Sequence, residues 1–236
     1  MSASSTVAAS TPRYGHAFWE RLWRSAGIQS VGLFVVAYVL CGMVPPVGAP
    51  PGALMTFYEG ARTSVLIAAA LCGLAILNLT WFAASIRVVL ADAGQEGWGS
   101  AATAASAAVA ALLLLPVMIG AVLAFSVAQS ADQALASALN DLVWAGFVMS
   151  SFPRAMLIMA GSLGLWRAGL ISNGLFAAGV GAIVLVLAGG TTWMSGGFWS
   201  PDGLYSSIIS PVIGLVWVTA MSAFLLFRVP AARSGW

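Results

Sequence analysis

Residues 134–168 read ALASALNDLVWAGFVMSSFPRAMLIMAGSLGLWRA, an apolar stretch long enough to cross a bilayer. It contains Asn140, Asp141, Pro153 and Arg154, and no other apolar stretch of the chain holds ionisable residues of both signs. An ionisable group costs roughly 2.5–3.5 kcal/mol at the centre of a membrane helix. Such groups persist where they face a protein interior, a wet cavity or the headgroups. We therefore expect this helix to contribute to any polar site of the protein.

The composition of the chain is that of a membrane protein. Of its 236 residues, 61% are hydrophobic and only 7% are charged, whereas soluble domains have about 25% charged residues. The mean hydropathy is +0.97. A soluble surface cannot be covered with so few charges, but a lipid-facing surface does not need them. The formal net charge of +2 indicates no nucleic-acid partner, and the partners we expect are membrane lipids.

The apolar runs predict an all-α transmembrane bundle of six helices. A hydrocarbon core of roughly 30 Å requires about 20 residues per helix. Runs of this length lie at about 27–47, 63–90, 101–127, 134–168, 172–193 and 205–227. A break near Pro153 would divide the fourth run and give seven helices. The Ala-rich start of the third run, 101–111, is expected to pack closely on a neighbouring helix.

The regions outside the spans are short. Residues 1–13 are mostly Ser, Ala and Thr, which predicts a disordered tail. Residues 14–26 combine Trp and Arg at helical spacing, which is typical of an amphipathic helix at the membrane interface or of an extension of the first span. The transmembrane domain is therefore assigned to 27–228, and 229–236 form a short cytoplasmic tail.

Arginine is distributed unevenly between the two sides of the predicted bundle. If the N-terminus is cytoplasmic, Arg62 alone lies outside and Arg154 lies within a span. The cytoplasmic side then holds seven arginines: Arg13, Arg21, Arg24, Arg87, Arg167, Arg228 and Arg233. Because short cytoplasmic loops are enriched in positive charge, both termini are predicted to be cytoplasmic.

A first candidate binding site lies near the outer side. Asp141 and Asn140 are near the outer end of the fourth span, and Glu59 and Arg62 precede the second span. In one interpretation, Asp141 is an acid or a ligand anchor and Arg62 is its counter-charge. In the other, Asp141 lies among the headgroups, or caps or salt-bridges a helix end.

A second candidate site lies deeper in the membrane. Arg154 follows Asp141 by thirteen residues, which puts the two side chains on nearly opposite faces of a straight helix and prevents a direct pair. Together with Asn78, Arg154 is a candidate site for a carboxylate or phosphate that enters from the inner leaflet. The alternatives are that Arg154 extends toward the headgroups and that Asn78 bonds to a neighbouring helix.

Several kinds of chemistry lack the residues they need. His16 is the only histidine and lies outside the spans, so bis-histidine haem, copper and zinc sites lack ligands there, and no Ser-His-Asp set is possible within the membrane. All nine basic residues are arginine, which excludes a Schiff-base lysine. We expect no metal and no cofactor. Cys41 and Cys72 lie in apolar runs and are expected to be packing residues.

Two motifs in the last third of the chain resemble a known family. They are GSLGLWRAGLIS at 161–172 and FWSPDGLY at 198–205, the latter followed by an apolar span. They resemble an uncharacterised family of polytopic bacterial inner-membrane proteins, mainly actinobacterial, that share a domain of unknown function. The resemblance implies a bundle of six or seven helices in the bacterial cytoplasmic membrane, and it implies no catalytic residues.

The sequence leaves three functions open. The leading hypothesis is an integral membrane protein that binds a lipid or a small apolar ligand, or that serves as the membrane subunit of a complex. The second is a membrane-embedded enzyme of the cyclase or isomerase type with Asp141 as the acid. The third is a small transporter that works as a homo-oligomer.

Overall fold

The structure is a computed structural model, and it describes residues 19, 21–127 and 133–228. The regular elements in this part of the chain are all helices. They are α1 (Ala26–Cys41), α2 (Pro51–Gly60), α3 (Arg62–Asp92), α4 (Glu96–Val122), α5 (Gln133–Met149), α6 (Ser151–Arg167), α7 (Asn173–Gly189) and α8 (Ser210–Phe227). Two π-helical segments join them: Leu123–Val127 continues α4 and Tyr205–Ile209 leads into α8.

Four helices are long and apolar enough to cross a membrane. They are Arg62–Asp92, Glu96–Ser126, Gln133–Arg167 and Tyr205–Phe227. The prediction of a helical chain with apolar helices of membrane-spanning length is therefore confirmed, for four of the six predicted spans. The predicted first and fifth spans correspond to the shorter apolar helices α1 and α7, which have 16 and 17 residues.

The first span is preceded by a helical turn. Residues 21–24 are helical. The amide of Ser25 donates to the carbonyl of Arg21, and the amide of Gln29 donates to the carbonyl of Ser25. The helix therefore continues from 21 into α1. The rest of the predicted interfacial helix at 14–26, apart from Trp19, lies outside the described residues, as do the predicted tails at 1–13 and 229–236.

The helices run between two ends of the bundle. The first end holds α2, the loop 42–50, the end of α4 and the start of α5, and is called the α2 end here. The opposite end holds the starts of α1 and α7 and the ends of α3, α6 and α8. It is called the arginine end because Arg87, Arg167 and Arg228 lie there.

A buried arginine joins two helices at the arginine end. The Arg24 guanidinium donates to the carbonyl of Leu225 at 3.0 Å, in the last turn of α8. The Ser222 hydroxyl donates back to the carbonyl of Arg24. Carbonyls in the last turn of a helix lack intrahelical donors and carry partial negative charge. Arg24 supplies both a donor and a positive charge at this position.

Pro153 interrupts the long helix of the fourth span without ending it. The amides of Ser150 and Arg154 keep their bonds to Gly146 and Ser150, at 3.0 and 3.1 Å, but a proline has no N–H to donate to Met149. The break at Ser150 therefore separates α5 from α6 within a single candidate span of 35 residues. This length corresponds to about 52 Å, so part of the helix extends beyond a hydrocarbon core of roughly 30 Å.

The helices enclose two apolar cores. The larger core holds the buried faces of α3, α4, α6, α7 and α8, with Phe82, Ile86 and Met221 among its fully buried side chains. The smaller core lies at the α2 end and packs α2 and α5 against the adjoining ends of α3 and α4, around Leu54 and Leu123. α5 thus belongs to the smaller core and α6 to the larger one.

Small residues allow the helices of the larger core to approach closely. Ala102 and Ala105 are buried in it, as predicted for the Ala-rich start of the third span. Gly164 leaves even less room, because a Cβ there would lie 2.8 Å from a Leu90 methyl carbon and 2.9 Å from the Cβ of Trp98. Close contact between backbones provides the van der Waals packing that holds membrane helices together.

Substitution of Gly164 by alanine should destabilise the bundle. The added methyl group overlaps the Cβ of Trp98, which is bonded directly to the backbone. One of the two helices must therefore shift to remove the overlap, which lowers the free energy of unfolding by about 1–3 kcal/mol. Gly73→Ala is the matched control, since nothing lies within 4 Å of its Cβ position. Thermal unfolding in mild detergent should show a lower midpoint for Gly164→Ala only. Equal midpoints for the two variants would contradict the packing described here.

Candidate functional site

A polar cluster joins α5 to the loop 42–50. Asn140 is fully buried, and its Nδ2 donates to the carbonyls of Pro45 and Pro46, both at 3.2 Å. The indole N–H of Trp144, one turn further along α5, donates to Pro45 at 2.8 Å. Consecutive prolines present carbonyl acceptors but no amide donors. The side chains of α5 supply the donors that this loop lacks.

α2 is held to the same cluster by Tyr58. Its buried hydroxyl donates to Oδ1 of Asn140 at 3.2 Å, so both ends of the Asn140 amide are bonded. Burial raises the pKa of Tyr58 well above its usual range, and the nearby Cys41 thiol adds to the shift. The phenol therefore stays protonated, and it keeps its role as donor at any physiological pH.

Asp141 contacts the same loop from the half-buried surface of α5. Its Oδ1 accepts the amide of Gly48 at 3.1 Å. Gly48 has φ +69°, a conformation that residues with a side chain rarely adopt. The carboxylate thus helps to hold the tight turn that closes the loop. The described partner of Asp141 is thus a loop amide, and both interpretations given above for this residue stay predictions.

Arg62 contacts α4 instead of Asp141. Its Nη2 lies 3.5 Å from the carbonyl of Phe125, and its guanidinium carbon lies 5.5 Å from the centre of the Phe125 ring. Glu59 is exposed. Within the described part of the chain, no ion pair joins Arg62 to either acid. The residues of the first candidate site are therefore all at the α2 end, but Arg62 is directed to a different neighbour.

Arg154 folds back on its own helix at the break. Its Nε donates to the carbonyl of Ser150 at 3.2 Å, and its Nη2 donates to the carbonyl of Phe147 at 3.3 Å and to Oγ of Ser151 at 2.8 Å. The guanidinium thus adds donors to two carbonyls of the turn before Pro153, and none of its described bonds reaches the Met149 carbonyl that Pro153 leaves without an amide partner. Its described bonds lie within its own span, and both interpretations of Arg154 stay predictions.

Asn78 also bonds within its own helix. Its Nδ2 donates to the carbonyl of Leu74 at 2.9 Å. The structure therefore does not join Arg154 and Asn78 through any described bond, and the second candidate site remains two separate intrahelical contacts.

An apolar groove lies between α3 and α4. Its volume is about 410 Å³, which falls within the roughly 300–1,000 Å³ of small-molecule sites. Its lining is almost wholly apolar and consists of Ala69, Ala111, Leu114, Leu115, Val117, Met118 and Ala121. Alanines on both helices leave space between the longer side chains. No polar residue marks this groove in the sequence, and it was not predicted.

The groove is aligned with Arg62. Ala69 follows Arg62 by seven residues, which places it on nearly the same face of α3 and about 10 Å deeper. On α4, Ala111 precedes Met118 by seven residues, and both line the groove. Phe125 lies in the π-helical segment Leu123–Val127, one turn beyond Ala121, the last lining residue of α4. The contact between Arg62 and Phe125 therefore lies nearer the α2 end than the groove does.

No protein-family model, curated protein or solved structure matches the chain. The resemblance of residues 161–172 and 198–205 to a bacterial inner-membrane family therefore stays a prediction. Within the described residues, no three His, Cys, Asp or Glu side chains gather in a way that could hold a metal ion.

The polar cluster should matter for stability. Asn140→Ala leaves the Tyr58 hydroxyl and the Pro45 and Pro46 carbonyls without their partner, which should lower the free energy of unfolding by about 1–3 kcal/mol. Asn78→Ala is the control, because it removes a bond within one helix and should change stability by less than about 0.5 kcal/mol. Thermal unfolding in detergent measures both. If the two variants lose equal stability, the cluster does not anchor the loop.

Proposed function

We propose that this chain is an integral membrane protein that binds a lipid or a similarly apolar molecule in the groove between α3 and α4. The groove supports this proposal because it combines an apolar lining with an opening to the surface of the bundle. The side chains around it are strongly exposed, with Met118 58% and Leu114 46% accessible. In a bilayer, this surface faces acyl chains.

An occupant of the groove is expected on physical grounds. An empty space beside a helix forfeits dispersion contacts on its lining atoms. Water cannot fill it, because the lining offers almost no hydrogen-bonding partner. An acyl chain or a molecule of similar shape restores these contacts. The groove is thus suited to hold one acyl chain in a more defined position than the acyl chains of the surrounding lipid.

The topology that accompanies this proposal has six spans. α1 extends to 21 through continuous backbone bonds, which brings it to about 31 Å, and α7 provides the fifth crossing. Of the described arginines, Arg21, Arg24, Arg87, Arg167 and Arg228 belong to the arginine end and Arg62 to the α2 end. The positive-inside rule then favours a cytoplasmic arginine end and an external α2 end. We propose the bacterial cytoplasmic membrane as the location.

Filling the groove should displace its ligand. Ala69→Trp introduces an indole into the groove, and the amount of phospholipid that stays bound after extraction in mild detergent should fall by at least about fivefold, or roughly 1 kcal/mol. Ala70→Trp is the matched control, because Ala70 is the next residue on α3 and does not line the groove. Bound lipid is measured by native mass spectrometry. Equal retention by the two variants would contradict lipid binding in the groove.

The orientation can be tested by labelling. Single cysteines are introduced in a Cys41→Ser, Cys72→Ser background, either at Ser195 between α7 and α8 or at Ala93 between α3 and α4, both of which are exposed. A membrane-impermeant maleimide should label Ser195→Cys in intact spheroplasts and Ala93→Cys only after lysis. The reverse pattern would require the opposite orientation, and labelling of both sites without lysis would contradict the predicted span count.

A further inference from the structure

The position of Arg62 indicates which lipid the groove takes, provided that the groove binds lipid as proposed above. Arg62 is the first residue of α3, at the α2 end. It is the only arginine at that end among the residues that the structure describes. The candidate span Arg62–Asp92 begins there, so in the topology proposed above the guanidinium lies at the headgroup end of α3.

Most of the hydrogen-bonding capacity of Arg62 is unused in its described contacts. A guanidinium has five N–H donors, and one of them reaches the Phe125 carbonyl at 3.5 Å, which is beyond the usual range for such a bond. The Phe125 ring covers one side of the group at 5.5 Å. The Phe125 side chain is itself 61% exposed, so this contact leaves the guanidinium open to a ligand.

The charge of Arg62 is not neutralised by an acid in the described part of the chain. Glu59 is three residues away, but Ala61 separates the two helices, and no ion pair joins the two side chains. A planar guanidinium matches the oxygens of a phosphate in bidentate geometry. An uncompensated positive charge at headgroup depth favours a lipid with a net negative charge over a zwitterionic one.

The groove lies deeper than Arg62 on the same side of α3. Ala69 lies two turns, or about 10 Å, below Arg62 on nearly the same face of α3, and the α4 lining ends at Ala121, one turn before Phe125. A phosphate at Arg62 thus places the glycerol backbone of its lipid between Arg62 and the groove, from which an ester-linked chain can continue into the groove. We propose that the groove holds an anionic phospholipid of the leaflet at the α2 end, with its phosphate on Arg62 and one acyl chain between α3 and α4.

The test measures headgroup preference separately from total binding. The full chain is equilibrated in mixed micelles that contain equal amounts of phosphatidylglycerol and phosphatidylcholine with identical chains, and the lipids that remain bound after capture are quantified by mass spectrometry. The wild type should retain phosphatidylglycerol over phosphatidylcholine by about fivefold or more. Arg62→Gln should bring the ratio near one without lowering the total bound lipid, and Arg62→Lys should keep most of the preference. Arg228→Gln, an exposed arginine at the arginine end, should leave the ratio unchanged.

Salt provides a measurement that needs no substitution. Raising the ionic strength from about 0.1 M to about 1 M shortens the Debye length from about 10 Å to about 3 Å. The preference of the wild type for phosphatidylglycerol should fall across this range while total binding persists. Inorganic phosphate at matched ionic strength should displace no lipid. If it does, Arg62 is a free-phosphate site and the lipid proposal is overturned.

The experiment distinguishes an incorrect assignment of Arg62 from the absence of lipid binding in the groove. If Arg62→Gln and salt leave the ratio unchanged while Ala69→Trp still removes lipid, the groove binds lipid without headgroup selection and the assignment of Arg62 is wrong. If Ala69→Trp retains as much lipid as Ala70→Trp, the groove is not occupied and the proposed function fails with it.

Discussion

Backbone carbonyls that lack an amide partner are the constraint on which the polar part of this structure depends. In hydrocarbon, each such group costs several kcal/mol unless another donor reaches it. Asn140 and Trp144 supply donors to the proline-rich loop. Arg24 supplies one at the end of α8, and Arg154 adds donors to the carbonyls of Phe147 and Ser150 beside the break in the fourth span. The polar residues inside this apolar chain are largely explained by the carbonyls that they bond.

Side-chain hydrogen bonds also join neighbouring helices of the bundle. The Ser30 hydroxyl donates to the carbonyl of Ala75 on α3 at 2.7 Å, and the Tyr205 hydroxyl donates to Leu185 on α7 at 2.8 Å. The indole of Trp217 instead donates to the hydroxyl of Ser162 on α6 at 2.9 Å. These bonds fix the rotation of each helix about its axis, which uniform apolar packing leaves poorly specified.

The membrane class and the approximate positions of the spans could be predicted from the sequence, because apolar runs of about 20 residues have a direct physical cause. The break near Pro153 could also be predicted, since a proline removes one backbone donor at a known position. The partners of Asp141 and Arg154 could not, because each has several polar groups within reach and the choice depends on tertiary packing. Periodicity placed Arg62 near Asp141 in depth, but it did not reveal that Arg62 is directed toward Phe125.

The groove is the feature that sequence reasoning missed, for a physical reason. The candidate sites were inferred from polar residues, which are rare and energetically costly in a membrane. An apolar ligand, however, is recognised by shape, and shape arises from alanines such as Ala69 and Ala111 facing each other across two helices. Alanine is common in this chain, so its presence alone does not distinguish a groove from ordinary close packing.

The unequal lengths of the helices have a consequence for the surrounding bilayer. α7 has 17 residues and is about 26 Å long, and it ends in a loop with exposed Trp193 and Phe198, whereas α3 is about 46 Å long. Lipids adapt to a short hydrophobic surface by thinning and to a long one by thickening or by tilt of the helix. In the six-span topology proposed above, in which α7 crosses the membrane, a bilayer matched to α7 is thinner than one matched to α3. That topology therefore predicts a thickness gradient across the width of the protein, with shorter lipid chains beside α7 and longer ones beside α3.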